Sequence, residues 1–257
     1  MYSVVIPTKT RHLTLARQLS YISNFNLKDV KEIIILDSST KNFLQSEQFK
    51  EIEINQIQNK IRYLQFEENT IYAKKLLSGS KIISTNSCLL ISDDDFVNFD
   101  VVKLLKKKLE TDENLVFVTG DQYLININDS KLIPIDFYKL YSEASNNMFK
   151  ESYERINFYL NRKSILSYYG IFKTECFKKT WQQVSNLSDD FLLQEALFNI
   201  MLLHHGKSYR LPLFYSARQP NLNIDYEKCL SNKDIENYIL NDRIEGVKKF
   251  KVNATPT

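Results

Sequence analysis

Three consecutive aspartates, Asp93, Asp94 and Asp95, follow an apolar run in the stretch CLLISDDDFVNFD, residues 88–100. Adjacent carboxylates repel one another, and water screens this repulsion when they lie on an exposed loop. At the end of a buried strand the repulsion is larger, and a cation would offset it. A hard divalent cation prefers oxygen ligands and bridges to substrate phosphates. The triplet therefore indicates a metal site beside a phosphate group, and a solvated acidic turn is the alternative interpretation.

Polar clusters also follow two earlier apolar runs. PTKTR (7–11) follows the first run, and DSST (37–40) follows the second. Like SDDDF (92–96), both occupy the carboxyl ends of predicted strands. In open α/β sheets, ligands bind outside the carboxyl ends of the strands. The convergence of three such strand ends indicates a ligand site more strongly than any one cluster does.

The elements that must position these clusters alternate between strand and helix in the first half of the chain. Short apolar runs predict strands, and apolar residues at helical spacing predict helices. The predicted strands are 2–6, 31–37, 60–66, 87–92 and 114–120, and the predicted helices are 13–22, 69–83 (fraying at Gly79) and 101–110. Alternating β and α units with short connections imply a mostly parallel sheet covered by helices.

The second half of the chain is more helical. We predict helices at 142–160, 174–184, 188–206 and 233–250, and a strand at 209–217. The helix at 188–206 has the clearest boundaries, because Ser188 suits an N-cap and Gly206 suits the C-terminal cap.

The composition restricts the class of protein. The chain has 257 residues, of which 43% are apolar and 25% charged, a balance that fits a globular protein. The formal net charge is +3 and the basic residues are dispersed, so we expect no nucleic-acid partner, because such a partner needs a concentrated basic stripe. The three cysteines form no CxxC pair, so neither a disulfide framework nor a zinc knuckle is indicated.

Three sequence patterns that would indicate other functions or locations are missing from the chain. The chain has five glycines and neither GxGxxG nor GxxxxGK[ST], which excludes phosphate binding by a glycine-rich loop. No window approaches the roughly 20 apolar residues that a spanning helix needs, and the N-terminus lacks a signal-peptide pattern. We therefore expect a cytoplasmic protein, and peripheral association with the inner face of the membrane stays open.

The three polar clusters, together with the strands that precede them, resemble the motifs of a known protein family. SVVIPTKTRHLTLARQL, followed by EIIILDSST and LLISDDDF, resembles the metal-dependent GT-A glycosyltransferases of the family-2 type. Those proteins open with a V-V-I-P-T strand, carry an acidic residue after the second strand, and have an Asp-x-Asp motif after the fourth. The resemblance covers about residues 3–125, and GKSYRLPLFYSARQ (206–219) is similar to a subgroup that ends this segment in Arg-Gln. It implies an α/β, GT-A (Rossmann-like) fold with a mostly parallel central sheet flanked by helices and a more helical C-terminal half.

The resemblance implies a nucleotide diphosphate sugar as donor substrate and suggests which residues bind it. Pro7, Thr8 and Arg11 match the loop that lies against the nucleotide. Asp37 matches the acidic residue that reads the base, since a carboxylate can accept a hydrogen bond from a uracil-type N–H.

The resemblance also assigns the metal site. Asp93 and Asp95 match the outer members of the Asp-x-Asp motif, with Asp95 as the direct ligand of Mn²⁺ or Mg²⁺. Asp94 is grouped with the donor-binding residues, although its side chain is expected to point away from its neighbours. Many family members have an Arg-Asn pair before the fourth strand. Here the resemblance implies that Lys74 or Lys75 takes the phosphate-facing role of that arginine. The alternative interpretation is that both lysines belong to a solvated helix face.

An inverting sugar transfer needs a base that deprotonates the acceptor hydroxyl. The stretch LSDDFLLQEAL (187–197) offers Asp190, which we favour, together with Asp189 and Glu195. Asp121 is a further candidate on the acceptor side. The competing interpretation is that the two aspartates only stabilise the start of a helix.

Four other residues have both a functional and a structural interpretation. Arg218 lies in a predicted loop after a strand, where it would clamp the diphosphate or be a surface arginine. Trp181 is a sugar-stacking platform or a core anchor, and we favour the anchor. His204 and His205 end a helix, and we favour a structural role because no second metal ligand lies at suitable spacing.

The expected function is therefore that of a metal-dependent glycosyltransferase in one domain, 1–257. Residues 1–125 would form the nucleotide-sugar-binding half and residues 126–257 the acceptor-side half. The sugar would pass with inversion to a hydroxyl of a glycan or lipid-linked acceptor, in the synthesis of a surface polysaccharide or glycoconjugate. The alternatives are a nucleotidyltransferase acting on sugar phosphates, which usually has an early glycine-rich loop, and a catalytically inactive glycan-binding relative.

Overall fold

The computed structural model describes residues 1–52, 54, 56–126, 131–134, 149–162 and 169–218. This part of the chain contains nine strands: β1 (Tyr2–Thr8), β2 (Val30–Asp37), β3 (Ile61–Gln65), β4 (Ser87–Leu90), β5 (Asp95–Val97), β6 (Leu115–Asn126), β7 (Lys131–Pro134), β8 (Gly170–Lys173) and β9 (Lys207–Arg218). Its α-helices are α1 (His12–Ser23), α2 (Glu47–Glu51), α3 (Tyr72–Lys81), α4 (Phe99–Thr111), α5 (Ser152–Arg162), α6 (Thr174–Leu187) and α7 (Phe191–His205). The helix predicted at 233–250 lies outside the described residues.

The strands form one sheet with the order β3-β2-β1-β4-β8-β6-β9-β5, and β7 pairs with β6. The first four strands in this order are parallel to one another. Strand β8 is antiparallel to both of its neighbours, so β6 runs in the same direction as β4. Strand β9 is parallel to β6 and antiparallel to β5. The predicted α/β fold with helices on a central sheet is confirmed, and its parallel core is the half that ends in the polar clusters.

Strand β1 is longer than the sequence predicts. Proline cannot continue a central strand, so the strand was expected to end at Ile6, but it runs through Pro7 to Thr8. The pairing explains the difference: β1 pairs with β4 only as far as Val5, whereas its pairing with β2 continues to Thr8. Pro7 therefore lies where β1 has a single neighbouring strand, and this prediction was wrong by two residues.

Two helical layers cover the sheet. Residues of β1 alternate between them: Val4 and Ile6 pack in the core beneath α1, α2 and α4, whereas Val5 packs in the core beneath α3, α6 and α7. In the second core Trp181 is fully buried and stacks on Phe198, with 4.4 Å between ring centroids. Trp181 is therefore a core residue, as favoured.

Helix α3 packs unusually close to the sheet. A Cβ atom on Gly79 would lie 2.4 Å from a methyl carbon of Leu36 in β2, so any larger residue would have to displace the Leu36 side chain. The sequence predicted that the helix frays at Gly79, but it continues to Lys81. The glycine thus serves packing rather than termination, and it sets α3 close to the carboxyl ends of β1 and β2.

The sheet curls until its last strand meets the first helix. The Tyr21 hydroxyl of α1 donates a hydrogen bond to the carbonyl of Val97 in β5 at 3.2 Å, and its ring lies 5.0 Å from that of Phe96. The curl brings the segment after β4 back over β1. No helix in the described part of the chain is both long enough and apolar enough to cross a bilayer.

Candidate active site

The carboxyl ends of β1, β2 and β4 lie side by side, because these strands are parallel neighbours. The polar segments 7–11, 37–40 and 92–96 therefore meet at one edge of the sheet, as the sequence predicts. We call this place the aspartate edge, defined by Asp37 and the triplet 93–95.

Direct contacts join the first two segments. The Ser38 amide donates to the Thr8 carbonyl at 3.2 Å, and the Thr10 amide donates to the Ser39 hydroxyl at 2.7 Å. Thr10 has a φ of 54°, a left-handed conformation that β-branched residues rarely adopt. Such strain is often found at functional sites, where the surrounding structure holds it in place.

Arg11 cross-links the first two aspartates of the triplet. Its Nη1 lies 3.0 Å from Oδ1 of Asp93, and its Nη2 lies 2.5 Å from Oδ2 of Asp94. The second oxygen of Asp93 accepts a 2.6 Å hydrogen bond from the Thr8 hydroxyl, and the second oxygen of Asp94 accepts one from Ser92. Thr8, Arg11, Asp93 and Asp94 are thus brought together as predicted, and Asp94 is part of the cluster rather than directed away from it.

Asp95 begins strand β5 instead of lying in a loop. It is 2% exposed, and its backbone is directly opposite Arg218, the last residue of β9. The predicted loop position of Arg218 is therefore corrected to a strand end. The sheet register therefore places two predicted site residues, which are 123 positions apart in the sequence, on adjacent strands.

Asp37 is completely buried at the aspartate edge. Its Oδ1 accepts hydrogen bonds from the Ser39 amide at 2.7 Å and the Ser39 hydroxyl at 2.5 Å. Its Oδ2 accepts one from the Tyr63 hydroxyl at 2.7 Å, and Nε2 of His12 lies 3.7 Å away. Oδ2 accepts only one of these hydrogen bonds and a carboxylate oxygen can accept two, so the role of Asp37 as base reader stays a prediction.

The two lysines that the sequence left as alternatives have different surroundings. Lys74 is exposed, whereas Lys75 is 3% exposed. The Lys75 ammonium donates to the Thr8 carbonyl at 2.8 Å and to the Ser38 hydroxyl at 3.0 Å. The structure therefore brings Lys75 to the aspartate edge and leaves Lys74 on the helix surface.

Burial dominates the electrostatics of Asp93. It raises the pKa of this carboxyl to about 6, against the opposing effects of the Thr8 hydrogen bond and the Arg11 charge, and Asp94 raises it further. Since desolvation disfavours the charged form, additional positive charge at this edge would stabilise the ionised triplet.

The residues present fit a divalent cation that protein and substrate hold jointly. Among the described residues, no group of three or more His, Cys, Asp or Glu side chains forms a complete metal centre. Mg²⁺ usually binds one or two carboxylates and completes its shell with water and substrate phosphates. The oxygen-only donors of the triplet suit that arrangement, with Asp93 and Asp94 already engaged by Arg11.

Asp190 caps helix α7. Its Oδ1 accepts a hydrogen bond from the Leu193 amide at 2.9 Å, and its side chain is exposed. The predicted N-cap, Ser188, is two residues too early: its hydroxyl accepts from the Asp190 amide at 3.0 Å, and the helix begins at Phe191. The cap does not occupy both carboxylate oxygens, so capping and proton transfer are compatible roles.

Contacts join the first turn of α7, which Asp190 caps, to the first turn of α3. Gln194 accepts a hydrogen bond from the Ala73 amide at 3.1 Å, and the rings of Tyr72 and Phe191 lie 5.1 Å apart. These residues form the first turns of both helices. Lys75, on the same turn of α3, contacts Thr8, so α3 links the start of α7 to the aspartate edge.

The other candidate residues differ in their surroundings. Asp121 is paired with Arg210, whose Nε and Nη2 lie 2.7 Å and 2.6 Å from Oδ1. Asp189 is exposed and Glu195 is half-buried in α7. His205 lies at the far end of α7 from Asp190, so the structure does not bring it to the site.

Sequence reasoning missed one residue of the site. The Tyr63 hydroxyl binds the Asp37 carboxylate beside Ser39, and it was not singled out. A signal was present, because Tyr63 lies in the middle of a predicted strand next to the one that ends at Asp37, but the register that joins them is a property of the sheet.

Comparison with known proteins identifies the family. The sequence profile of glycosyl transferase family 2 matches residues 3–181, which is more than half of the chain. The chain belongs to glycosyl transferase family 2. The matched region includes all three strand ends of the aspartate edge, and no curated protein sequence matches the chain significantly.

Solved structures share the fold of this family-2 chain. The structure of S. aureus TarS 1–349 in complex with UDP-GlcNAc aligns with a TM-score of 0.61 and 14% identity, over 96% of this chain and 66% of that one. The same fragment in complex with UDP aligns with a TM-score of 0.59 and 15% identity, over 95% of this chain and 70% of that one. A longer TarS structure aligns with a TM-score of 0.58 and 15% identity, over 95% of this chain and 42% of that one. At these identities the likeness shows the fold, and this chain spans only part of TarS.

Proposed function

We propose that this chain transfers a sugar from a nucleotide diphosphate donor to a hydroxyl group of an acceptor. The observation that supports this most directly is the cluster at the aspartate edge, where Arg11 joins Asp93 and Asp94 beside Asp95. Membership of glycosyl transferase family 2 supports the reaction class, because the cluster lies within the matched residues.

The proposed donor is a uridine diphosphate sugar, bound mainly by residues 1–125. The similar TarS structures contain UDP and UDP-GlcNAc, which supports this choice of nucleotide. Pro7, Thr8 and Arg11 would form the wall against the nucleotide, and the DSST segment with Asp37 would form the floor beneath the base.

Asp95, together with Asp93, would hold Mg²⁺ or Mn²⁺ at the diphosphate. When bound, this cation would offset the negative charge of the diphosphate leaving group. Arg218, whose backbone is opposite Asp95, is the proposed second source of positive charge toward the diphosphate.

Asp190 is the proposed base. The acceptor oxygen would form a bond to the anomeric carbon, the bond from that carbon to the diphosphate oxygen would break, and the hydroxyl proton would pass to the Asp190 carboxylate. Direct displacement of this kind inverts the anomeric configuration. The acceptor would be a glycan or lipid-linked hydroxyl bound by residues 126–257, in surface polysaccharide or glycoconjugate synthesis.

A thermal-shift screen of nucleoside diphosphates, each with and without Mn²⁺, tests the donor class. A ligand that binds only the folded state raises its stability, by about 2.7 kcal/mol at 100 times its Kd. We expect UDP to raise the melting temperature in the presence of Mn²⁺. No metal-dependent stabilisation by any nucleoside diphosphate would contradict the proposed function.

The double variant Asp93→Ala, Asp95→Ala separates the enzyme from an inactive glycan-binding relative. An enzyme loses donor turnover in this variant, whereas a glycan-binding relative keeps its glycan affinity and shows no turnover in either form. The expected result is turnover in the wild type that the double variant lacks.

A further inference from the structure

A buried ammonium group joins the ends of two strands beneath the proposed donor pocket. Lys75 lies in the first turn of α3 and is 3% exposed. It donates to the Thr8 carbonyl at the end of β1 and to the Ser38 hydroxyl just after β2. Lysine is almost never fully buried unless its charge is paired, so this position requires an explanation.

The surroundings of Lys75 only partly compensate for its burial. Burial lowers the pKa of the ammonium to about 8, although Asp37 and Asp93 act to raise it. A buried charge that is imperfectly compensated costs folding free energy, and such groups are concentrated at functional sites. If the link between the two strands were only structural, neutral hydrogen-bonding groups would make it at a smaller cost in folding free energy.

Each partner of Lys75 leads to a different part of the site. The same Thr8 whose carbonyl binds Lys75 donates its hydroxyl to Asp93 at 2.6 Å. Ser38 lies between Asp37 and Ser39, and the Ser39 hydroxyl binds the Thr10 amide. A displacement of the ammonium would therefore move both the loop that holds Asp93 and the loop that holds Asp37.

We propose that Lys75 is a positioning residue that holds the segments 7–11 and 37–40 in the geometry that binds the donor. It acts through Thr8 and Ser38, and it does not touch the phosphates. This inference rests on the proposed function of the pocket, and it gives Lys75 a different role from the phosphate contact predicted for the lysine pair.

The test compares Lys75→Met with its exposed neighbour, Lys74→Met. Titration calorimetry with UDP and Mn²⁺ gives the Kd of each variant, at a temperature where circular dichroism shows that each is fully folded. Loss of one charge-assisted hydrogen bond corresponds to about a tenfold change in affinity. We expect Lys75→Met to weaken UDP binding about tenfold, Lys74→Met to leave it within about twofold, and Lys75→Arg to recover part of the loss.

The variant Ser38→Ala separates positioning from direct contact and remains informative if Lys75→Met does not fold. It removes one partner of Lys75 and leaves the lysine in place. Positioning predicts weaker UDP binding in Ser38→Ala, and no further weakening when this change is added to Lys75→Met. A lysine that touched the phosphates directly would make Ser38→Ala bind like the wild type, and that result would overturn the inference.

The outcomes also separate this inference from the proposed function. A wild type that binds no nucleoside diphosphate would overturn both. A wild type that binds UDP, with folded Lys75→Met binding it equally well, would overturn only the role of Lys75. A loss of thermal stability without a change in Kd would assign Lys75 to the fold alone and would likewise reject the positioning role.

Discussion

Two buried carboxylate clusters lie at opposite ends of the same parallel strands. Near the start of β2, Glu32 is 5% exposed and accepts hydrogen bonds from the Ser3 hydroxyl, the Ser84 amide and hydroxyl, and the Arg62 guanidinium, at 2.7–2.9 Å. Burial acts to raise its pKa, but the bonds from Arg62, Ser84 and Ser3 outweigh burial and lower the pKa to about 2. We call this group the Glu32 cluster.

The aspartate edge has the opposite balance. There the Arg11 guanidinium is divided between Asp93 and Asp94, and burial raises the pKa of Asp93 to about 6. In the Glu32 cluster four donor groups of the protein surround one carboxylate, so its charge is compensated without a ligand. At the aspartate edge two adjacent carboxylates, Asp93 and Asp94, share one guanidinium, so this edge gains from a positive ligand. Buried carboxylates thus form a self-contained cluster at one end of the strands and the proposed binding site at the other.

The largest expected effect is at the aspartate edge. Asp95→Asn removes the charge of the proposed metal ligand, and we expect release of UDP from the donor to fall by about a thousandfold, as for loss of a main electrostatic contact to the transition state. Steady-state turnover of purified protein measures it. The matched change Glu32→Gln should leave turnover of the folded protein within about threefold, and equal losses in the two variants would remove the distinction between the clusters.

The second effect separates proton transfer from helix capping. Asparagine caps a helix about as well as aspartate, so Asp190→Asn keeps the start of α7 but removes the proposed base. We expect sugar transfer to fall by about 10²–10⁴-fold with an unchanged melting temperature. Asp189→Asn is the control, since its exposed neighbouring carboxylate should be dispensable. Full activity in Asp190→Asn would contradict the role of Asp190 as the base and would leave helix capping as its only role.

The third effect is on stability at the Glu32 cluster. Glu32→Gln replaces an acceptor by an amide whose N–H₂ faces other donors, and we expect a loss of about 2 kcal/mol in the free energy of unfolding. Glu110→Gln is the control, because its pair with Lys106 is a surface contact at helical spacing, and it should cost less than about 0.5 kcal/mol. Urea denaturation at pH 7 measures both. Similar losses in the two variants would contradict the prediction.

The smallest effect is the pH dependence of that stability. The pKa of Glu32 is lowered from 4.5 to about 2 on folding, so its stabilisation is present above about pH 4.5 and is lost as the pH falls toward 2. The difference in stability between the wild type and Glu32→Gln should therefore shrink between pH 5 and pH 3. Thermal melts of both proteins across this range test it, and a constant difference would show that the charge of Glu32 is not the cause.

The sequence predicted the parallel part of the fold and the three strand ends well, because each depends on a local apolar run followed by polar residues. It missed β8, whose four residues are too short to show a period, and β5, whose first residue was assigned to a loop. Both strands are formed by antiparallel pairing with distant segments. A local pattern cannot show such pairing.

The choice between Lys74 and Lys75 shows the same limit at a single position. Successive residues of a helix point about 100° apart, so one of two adjacent lysines must face the sheet more than the other. The packing of Ala73, Leu76 and Gly79 against the sheet rotates α3 so that Lys75 faces inward. The sequence contained this apolar pattern, but the partner of the inward lysine lies 67 positions away in Thr8.

The sequence by itself determined which chemical groups stand at the strand ends, because strand and helix signals are set by residues within a few positions of one another. Only the tertiary structure decided how these groups share their charges. Arg11 divides its guanidinium between aspartates more than 80 positions away, at a separation of 83 from Asp94. The Asp37 carboxylate accepts hydrogen bonds from Ser39 and Tyr63. Contacts over such separations depend on strand order and register, which the whole core fixes through the burial of its apolar surface.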